Sequence, residues 1–169
     1  HQNGVLKLSA QLFPLMPGEK REARLELMLP GQKWSVAAKA EVHYPGWDAH
    51  FRIENWDDSH DVKYRVCHGE KAKFEGLIRK DPKNQDEIVV ANLSCNSSRT
   101  TGPRQEIVEN IRHHNPDLLF FGGDQHYRHT ENTTGWIEFG MQYRDIIRDR
   151  PTICIPDDHD VGPVSYTHL

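Results

Sequence analysis

Leu118-Leu119-Phe120-Phe121-Gly122-Gly123-Asp124-Gln125-His126-Tyr127 is the stretch that decides how this chain is read. A short apolar run bounded by punctuating residues reads as a buried strand. This one stops at two glycines and runs straight into a carboxylate and, three residues later, a phenol. Two other runs end in a similar way. Ile88-Val89-Val90-Ala91-Asn92-Leu93-Ser94 meets Cys95, and Thr152-Ile153-Cys154-Ile155-Pro156 meets Asp157-Asp158-His159-Asp160. In open α/β sheets, ligands bind just beyond the carboxyl ends of the strands. Three strands ending in thiol, phenol, carboxylate and imidazole therefore predict one shared crevice, with the layout of a metal-dependent hydrolase.

The segments between these runs read as helices. One is expected over about 103–114, with Pro103 in its first turn and Ile107, Val108 and Ile111 on one face. Thr101 or Gly102 could cap it, and Asn115-Pro116 stops it. A second is expected over about 136–148, with Ile137, Met141, Ile146 and Ile147 turned inward. Strands alternating with helices imply parallel βαβ units.

The first 80 residues have a different rhythm. Polar–apolar alternation marks strands over 5–10, 24–29, 34–42, 49–54, 62–66 and 72–74. Pro17-Gly18, Pro30-Gly31, Pro45-Gly46 and Asp57-Asp58 supply the turn chemistry between them. Short strands at this spacing suggest a small antiparallel sandwich of the immunoglobulin or fibronectin kind. The expected organisation is a β-sandwich domain over 1–80, a polar linker over 81–86 and an α/β domain over 87–162. Residues 163–169 read as a non-native tail, because Val164 to Leu169 match the translation of a sequencing-adapter end. The first residue is His1 and no leader precedes it, so either a leader was removed or the record begins inside the gene.

Composition narrows the classes. The chain has 169 residues, 36% of them hydrophobic and 27% charged, with a net charge of −4. That balance is globular and gives no global pull toward nucleic acid or anionic membrane. No apolar run approaches the roughly 20 residues of a membrane span. The three cysteines, Cys67, Cys95 and Cys154, are an odd count that argues against a complete disulfide framework. Cys67 and Cys154 sit in apolar strand patterns and read as buried free thiols.

Each candidate residue has a functional and a plain reading. Asp124 can bridge two cations with its two oxygens, or simply cap a turn. Tyr127 faces the same side as Asp124 at a spacing of three. Its phenolate suits ferric iron, and an ordinary half-buried tyrosine is the alternative. Cys95 offers a soft thiolate that favours zinc or iron over magnesium or calcium, or is a small buried hydrophobe. The four titratable groups of 157–160 repel one another unless a cation or protons relieve them. His159 would then be a ligand or a proton donor; the alternative is an acidic surface loop. Arg99 could hold a phosphate oxygen or be a solvated loop residue. His126 could reach substrate, but reads more readily as an exposed loop histidine. Gln125 and His129 carry weaker signals.

Taken together and in this order, the motifs resemble the calcineurin-like metallophosphoesterases. Gly123-Asp124-Gln125-His126-Tyr127 and Asp157-Asp158-His159-Asp160 are closer still to the PhoD-like alkaline phosphatases and phosphodiesterases. That family has Cys in the first motif, Tyr three residues after the bridging Asp, an Asp-Asp-His-Glu/Asp block and an N-terminal β-sandwich. The resemblance implies that residues 87–162 are the first half of an α/β metallophosphoesterase domain. It implies that Cys95, Asp124 and Tyr127 hold an iron-type metal, that Asp124 bridges to a second metal, and that Asp158 helps hold it. His159 would be the proton donor or phosphate contact, with Arg99 as a neutralising cation. The implied cofactors are iron with calcium, with zinc, manganese or magnesium as substitutes. The implied reaction is attack of a metal-bound hydroxide on a small phosphate ester, in an exported enzyme without a nucleic-acid partner. Asp160 stands where Glu is common. The family's later ligands are missing from this chain, which as given is expected to be incomplete and inactive. Two other readings stay open. One is a β-sandwich binding or adhesion module joined to a non-catalytic hydrolase domain; the other is a hydrolase of a different anionic ester.

Overall fold

A computed structural model of the chain describes residues 1–97 and 104–162. It is mostly β-sheet with few helices. It divides into two compact units, His1–Lys83 and Asn84–Leu169.

The first unit holds six strands: β1 (Val5–Gln11), β2 (Glu22–Met28), β3 (Ser35–Glu41), β4 (Asp48–Glu54), β5 (Val62–His68) and β6 (Ala72–Ile78). β1 pairs with β4, and the other four form a sheet in the order β3-β2-β5-β6. All pairings are antiparallel. Period-two alternation explains why these segments are strands. Ala23, Leu25 and Leu27 of β2 are buried, and so are Val62 and Tyr64 of β5. They join Leu6, Ala49 and Phe51 of the two-stranded sheet in a single apolar cluster. The outer face of the larger sheet is polar and ordered. Glu26 takes a two-nitrogen ion pair from Arg65, through Nε at 2.7 Å and Nη2 at 2.6 Å. The Arg65 guanidinium lies 4.5 Å from the Trp34 ring centre.

The second unit is βαβαβ. Strands β7 (Val90–Leu93), β8 (Leu118–Gly122) and β9 (Thr152–Ile155) alternate with α1 (Arg104–His114) and α2 (Asn132–Ile147), and α3 (Asp158–Val161) follows. The sheet order is β7-β8-β9, parallel throughout. Both crossovers step in the same direction across the sheet. Right-handed crossovers in one direction place their helices on one face. Accordingly Val108 of α1 and Phe139, Tyr143 and Ile146 of α2 all pack on Leu119 and Phe121 of β8. The Phe139 ring meets Phe121 edge-on at 4.9 Å.

This one-sided cover corrects three expectations. The three runs were expected to be buried strands, yet only β8 is central. On the sheet face opposite the helices, Val90, Ile153 and Ile155 are each nearly half exposed. Cys154 pairs with Phe121 on the helix-covered face and is exposed because β9 is an edge strand, whereas Cys67 is buried as expected. On α2 the inward residues are Gly135, Phe139, Tyr143 and Ile146, and Met141 faces out. The aromatic residues take the core because their rings span the gap between helix and sheet. α2 also begins at Asn132 rather than near 136. Pro103 and the candidate caps Thr101 and Gly102 lie outside the described residues, as does 163–169.

Candidate metal centre

The carboxyl ends of β7, β8 and β9 meet at one point. Backbone pairing between β7 and β8 continues past both strands: Cys95 N donates to Gly123 O at 3.1 Å, and Asn96 N to Asp124 O at 2.8 Å. This sets Cys95 directly beside Asp124. Both residues have left-handed backbones, φ 55° and 57°. Such conformations are uncommon for residues with a side chain and cluster at functional sites. Gly122-Gly123 does more than turn the chain. A Cβ on Gly123 would lie 2.4 Å from Cβ of Asp157 and its φ is +99°, so β9's loop approaches to a distance only glycine permits.

The block after β9 is built around Asp160. Its Oδ2 accepts from Asp124 N at 2.7 Å and Asp157 N at 3.0 Å. Its Oδ1 accepts from Gln125 N at 2.8 Å and His126 N at 3.3 Å. Asp157 caps α3 and accepts from Asp158 N at 2.8 Å, so Asp157 and Asp160 form a reciprocal capping box. Two of the four crowded groups are therefore neutralised by backbone N–H dipoles, which revises the idea that the whole block needs a cation. Asp158 and His159 are left to face Asp124. Ligand atoms of Asp124, Asp158 and His159 all lie within 4.8 Å of one another.

Asp124 is 7% exposed. Its Oδ2 accepts from Tyr127 Oη at 3.0 Å and from Cys95 Sγ at 3.6 Å, and its Oδ1 from His159 N at 3.3 Å. No basic side chain among the described residues pairs with it. A buried carboxylate without a cationic partner is costly. Burial pushes the Tyr127 phenol well above its usual range, and the hydrogen bonds with Asp124 and Cys95 push the same way. The donor set of thiol, phenol, carboxylates and imidazole fits metal binding, with the soft sulfur favouring a transition metal. The His159 ring packs at 4.3 Å from the Tyr127 ring. His129 fixes it, with Nδ1 at 3.1 Å from His159 O and Nε2 at 3.3 Å from His159 Nδ1.

The structure thus brings together Cys95, Asp124, Tyr127, Asp158 and His159. Arg99 lies outside the described residues. His126 is corrected: it is 5% exposed, its Nε2 is 2.9 Å from Asn132 Oδ1, and Gly135 of α2 makes room for its ring. Sequence reading weighed Asp160 as one of the crowded acids and Gln125 as a weak candidate, and gave Asn96 no part, whereas all three help build the site. Gln125 is 2% exposed and donates to Phe121 O at 3.2 Å and Ile155 O at 3.0 Å, tying β8 to β9. Asn96 donates to Gln125 O at 3.0 Å and accepts from Arg104 Nε at 2.7 Å. Arg104 lines the same cavity of about 280 Å³ as Cys95 and Asp124. Of these, the Asp157–Asp160 spacing alone carried a readable signal, that of a capping box.

Over the part it covers, the fold of the chain is one already seen in solved structures. Two solved structures carry that statement. PhoD matches at a TM-score of 0.69 and 14% identity, over 94% of this chain and 37% of its own. Purple acid phosphatase PPD1 from yellow lupin (Lupinus luteus) seeds matches at 0.62 and 12%, over 91% and 33% respectively. The chain therefore spans about a third of the length of each of these structures. The sequence matches no protein-family model and no curated protein.

Proposed function

We propose that the convergence at the β7–β9 strand ends is part of the dinuclear centre of a phosphoester hydrolase of the alkaline phosphatase or phosphodiesterase type. The observation that carries this is Asp124, a buried carboxylate without a basic partner among the described residues, beside a thiol, a phenol and an imidazole. Cys95, Asp124 and Tyr127 would hold an iron-type ion, and Asp124 with Asp158 would hold a calcium or similar ion. When bound, the two ions would supply Lewis acidity toward the phosphoryl group and lower the pKa of a water.

The remaining work falls to the chain's own residues. His159 stands beside Asp124 with its backbone fixed by Asp124 and His129, and it would give a proton to the leaving alkoxide. Arg99 is the cation we assign to a phosphoryl oxygen. Asp160 and Gln125 keep the three loops in register. The reading extends to the whole fold: an N-terminal β-sandwich followed by the first half of a metallophosphoesterase domain. The substrate would be a small phosphate ester, and an extracytoplasmic setting goes with the family resemblance. No helix of the described chain is long and apolar enough to cross a membrane.

The test is hydrolysis of p-nitrophenyl phosphate and bis-p-nitrophenyl phosphate by the metal-loaded protein that carries this chain. Asp124→Asn and Asp158→Ala are each expected to lower kcat/KM at least 100-fold and to reduce bound metal by elemental analysis. Full activity in both variants would refute the assignment. A protein that holds no metal pair would instead fit the binding-module reading.

A further inference from the structure

The first unit carries a second cluster of metal-ligand side chains, far removed in sequence from the strand ends above. The hairpin that leads into β4 brings His43 opposite Asp48 in an isolated antiparallel bridge. Its turn is tightly braced. Trp47 N donates to His43 O at 2.6 Å, and His43 N to Asp48 O at 2.8 Å. Gln11 Nε2 reaches across from β1 to Gly46 O at 2.7 Å. Gly46 also makes room for the carboxylate, since a Cβ there would lie 2.6 Å from Asp48 Oδ1.

Strand alternation adds the third group. Asp48 and His50 are two apart on β4, so both lie on its outward face while Ala49 and Phe51 are buried. Asp48 Oδ2 contacts His50 Nε2 directly and lies 3.8 Å from His43 Nδ1. The two imidazoles stack with centres 5.7 Å apart. Ligand atoms of the three residues all fall within 4.8 Å of one another. Ser9, paired with His50 across the β1–β4 ladder, sits 2.8 Å from His50 Nδ1 through its hydroxyl. With Nδ1–H donating to that oxygen, Nε2 keeps its lone pair and is aimed at Asp48. An imidazole whose other nitrogen is tied by a hydrogen bond is the arrangement that metal-ligating histidines adopt.

We propose that His43, Asp48 and His50 form a separate site for one divalent first-row cation of the zinc class, with water completing the coordination. Two nitrogens and one oxygen suit zinc, copper or nickel better than calcium or magnesium. Tetrahedral zinc, with bonds of about 2.0–2.1 Å, places its ligand atoms roughly 3.4 Å apart. The three ligand atoms already lie within 4.8 Å of one another, and Asp48 Oδ2 is 3.8 Å from His43 Nδ1. The remaining trio of this unit, His1, Asp58 and Asp81, lacks the same case, because the Lys83 ammonium already neutralises Asp58 at 3.0 Å. Among the described residues no lysine or arginine pairs with Asp48, and the two imidazoles are its ion-pair partners.

The test titrates the full chain with ZnCl2 by isothermal titration calorimetry, beside two double variants. His43→Gln with His50→Gln is expected to lose one zinc equivalent. Asp124→Asn with Asp158→Asn is expected to retain that equivalent, which separates this site from the proposed hydrolytic centre. Ser9→Ala is expected to weaken it about 10-fold. Copper-loaded Asp124→Asn/Asp158→Asn protein should show hyperfine coupling to two imidazole nitrogens by electron paramagnetic resonance. An unchanged zinc count in the histidine double variant, or a copper spectrum without imidazole nitrogen, would overturn the proposal. Phosphatase activity is expected to be unaffected by the histidine substitutions.

Discussion

In the first unit every buried side chain among the described residues is apolar or aromatic, from Ala23 and Leu25 to Trp56 and Tyr64, whereas the second buries Asp124, Gln125 and His126 in succession. The turns of the first unit put their polar groups into solvent. The strand ends of the second fold theirs inward, where Asp124 accepts from His159 N, Gln125 donates to the carbonyls of Phe121 and Ile155, and His126 meets Asn132 Oδ1. Buried polar groups cost stability unless they are satisfied. A chain that buries three in a row at one strand end has given up stability for position. The same contrast appears in the glycines. Gly69 has φ +58° and open space around its Cα, while Gly123 has φ +99° and the Cβ of Asp157 against it.

Substitution at those two glycines tests the contrast most severely. Gly123→Ala meets both a clash and a left-handed backbone, and is expected to cost about 3–5 kcal/mol in the second unit. Gly69→Ala meets the backbone cost alone, about 1 kcal/mol. Urea unfolding of both variants checks the pair. Equal losses would mean that the approach of the Asp157 loop does not constrain β8.

Asp160 sharpens the point about satisfied burial. Asp160→Ala removes the acceptor of four backbone N–H groups. The expected loss is about 2–3 kcal/mol, since bonds to a charged group are worth more than neutral ones. Hydrogen exchange should quicken at the amides of Asp124, Gln125 and His126 and leave β2 and β5 untouched. Uniform quickening over both units would show that Asp160 acts on the whole chain and not on the site.

The smallest effect is chemical. Cys67 is buried, and that burial, helped by Glu26, raises its thiol pKa. Its thiolate is therefore scarce at mildly alkaline pH, and iodoacetamide should modify it last. Cys95 is exposed and should react first; Cys154 is also exposed, but desolvation pushes its thiol up to about 11, so it should follow Cys95 and precede the buried Cys67. Added zinc or ferrous iron is expected to protect Cys95 alone. Protection of Cys154, with Cys95 still reactive, would remove Cys95 from the metal centre.

Much of this could be read from residues. The six strands of the first unit follow from alternation and from Pro-Gly turns, to within a few residues at each end. The Gly-Asp and Asp-Asp-His motifs point to Asp124, Tyr127, Asp158 and His159 because they follow apolar strands in order, although each residue alone has a plain reading as a cap, a half-buried ring or an acidic loop. Cys95 was flagged in the same way. The failures have definite causes. Apolar runs cannot say which strand is central, so β7 and β9 were read as buried although they lie at the edges. Inward and outward faces of α2 could not be separated by counting aliphatic residues, because Phe139 and Tyr143 fill the core. His126 looked like a loop residue because nothing local announces Gly135 as its packing partner.

By itself the sequence determined where strands and helices lie, to within a few residues, since propensity and turn chemistry are properties of residues close together along the chain. Tertiary structure alone decided that Asp160 accepts from four backbone N–H groups, that Gln125 ties two strands, and that His43, Asp48 and His50 come together beside Ser9. Those roles depend on distances between residues far apart in sequence, and such distances exist only once the sheets have paired.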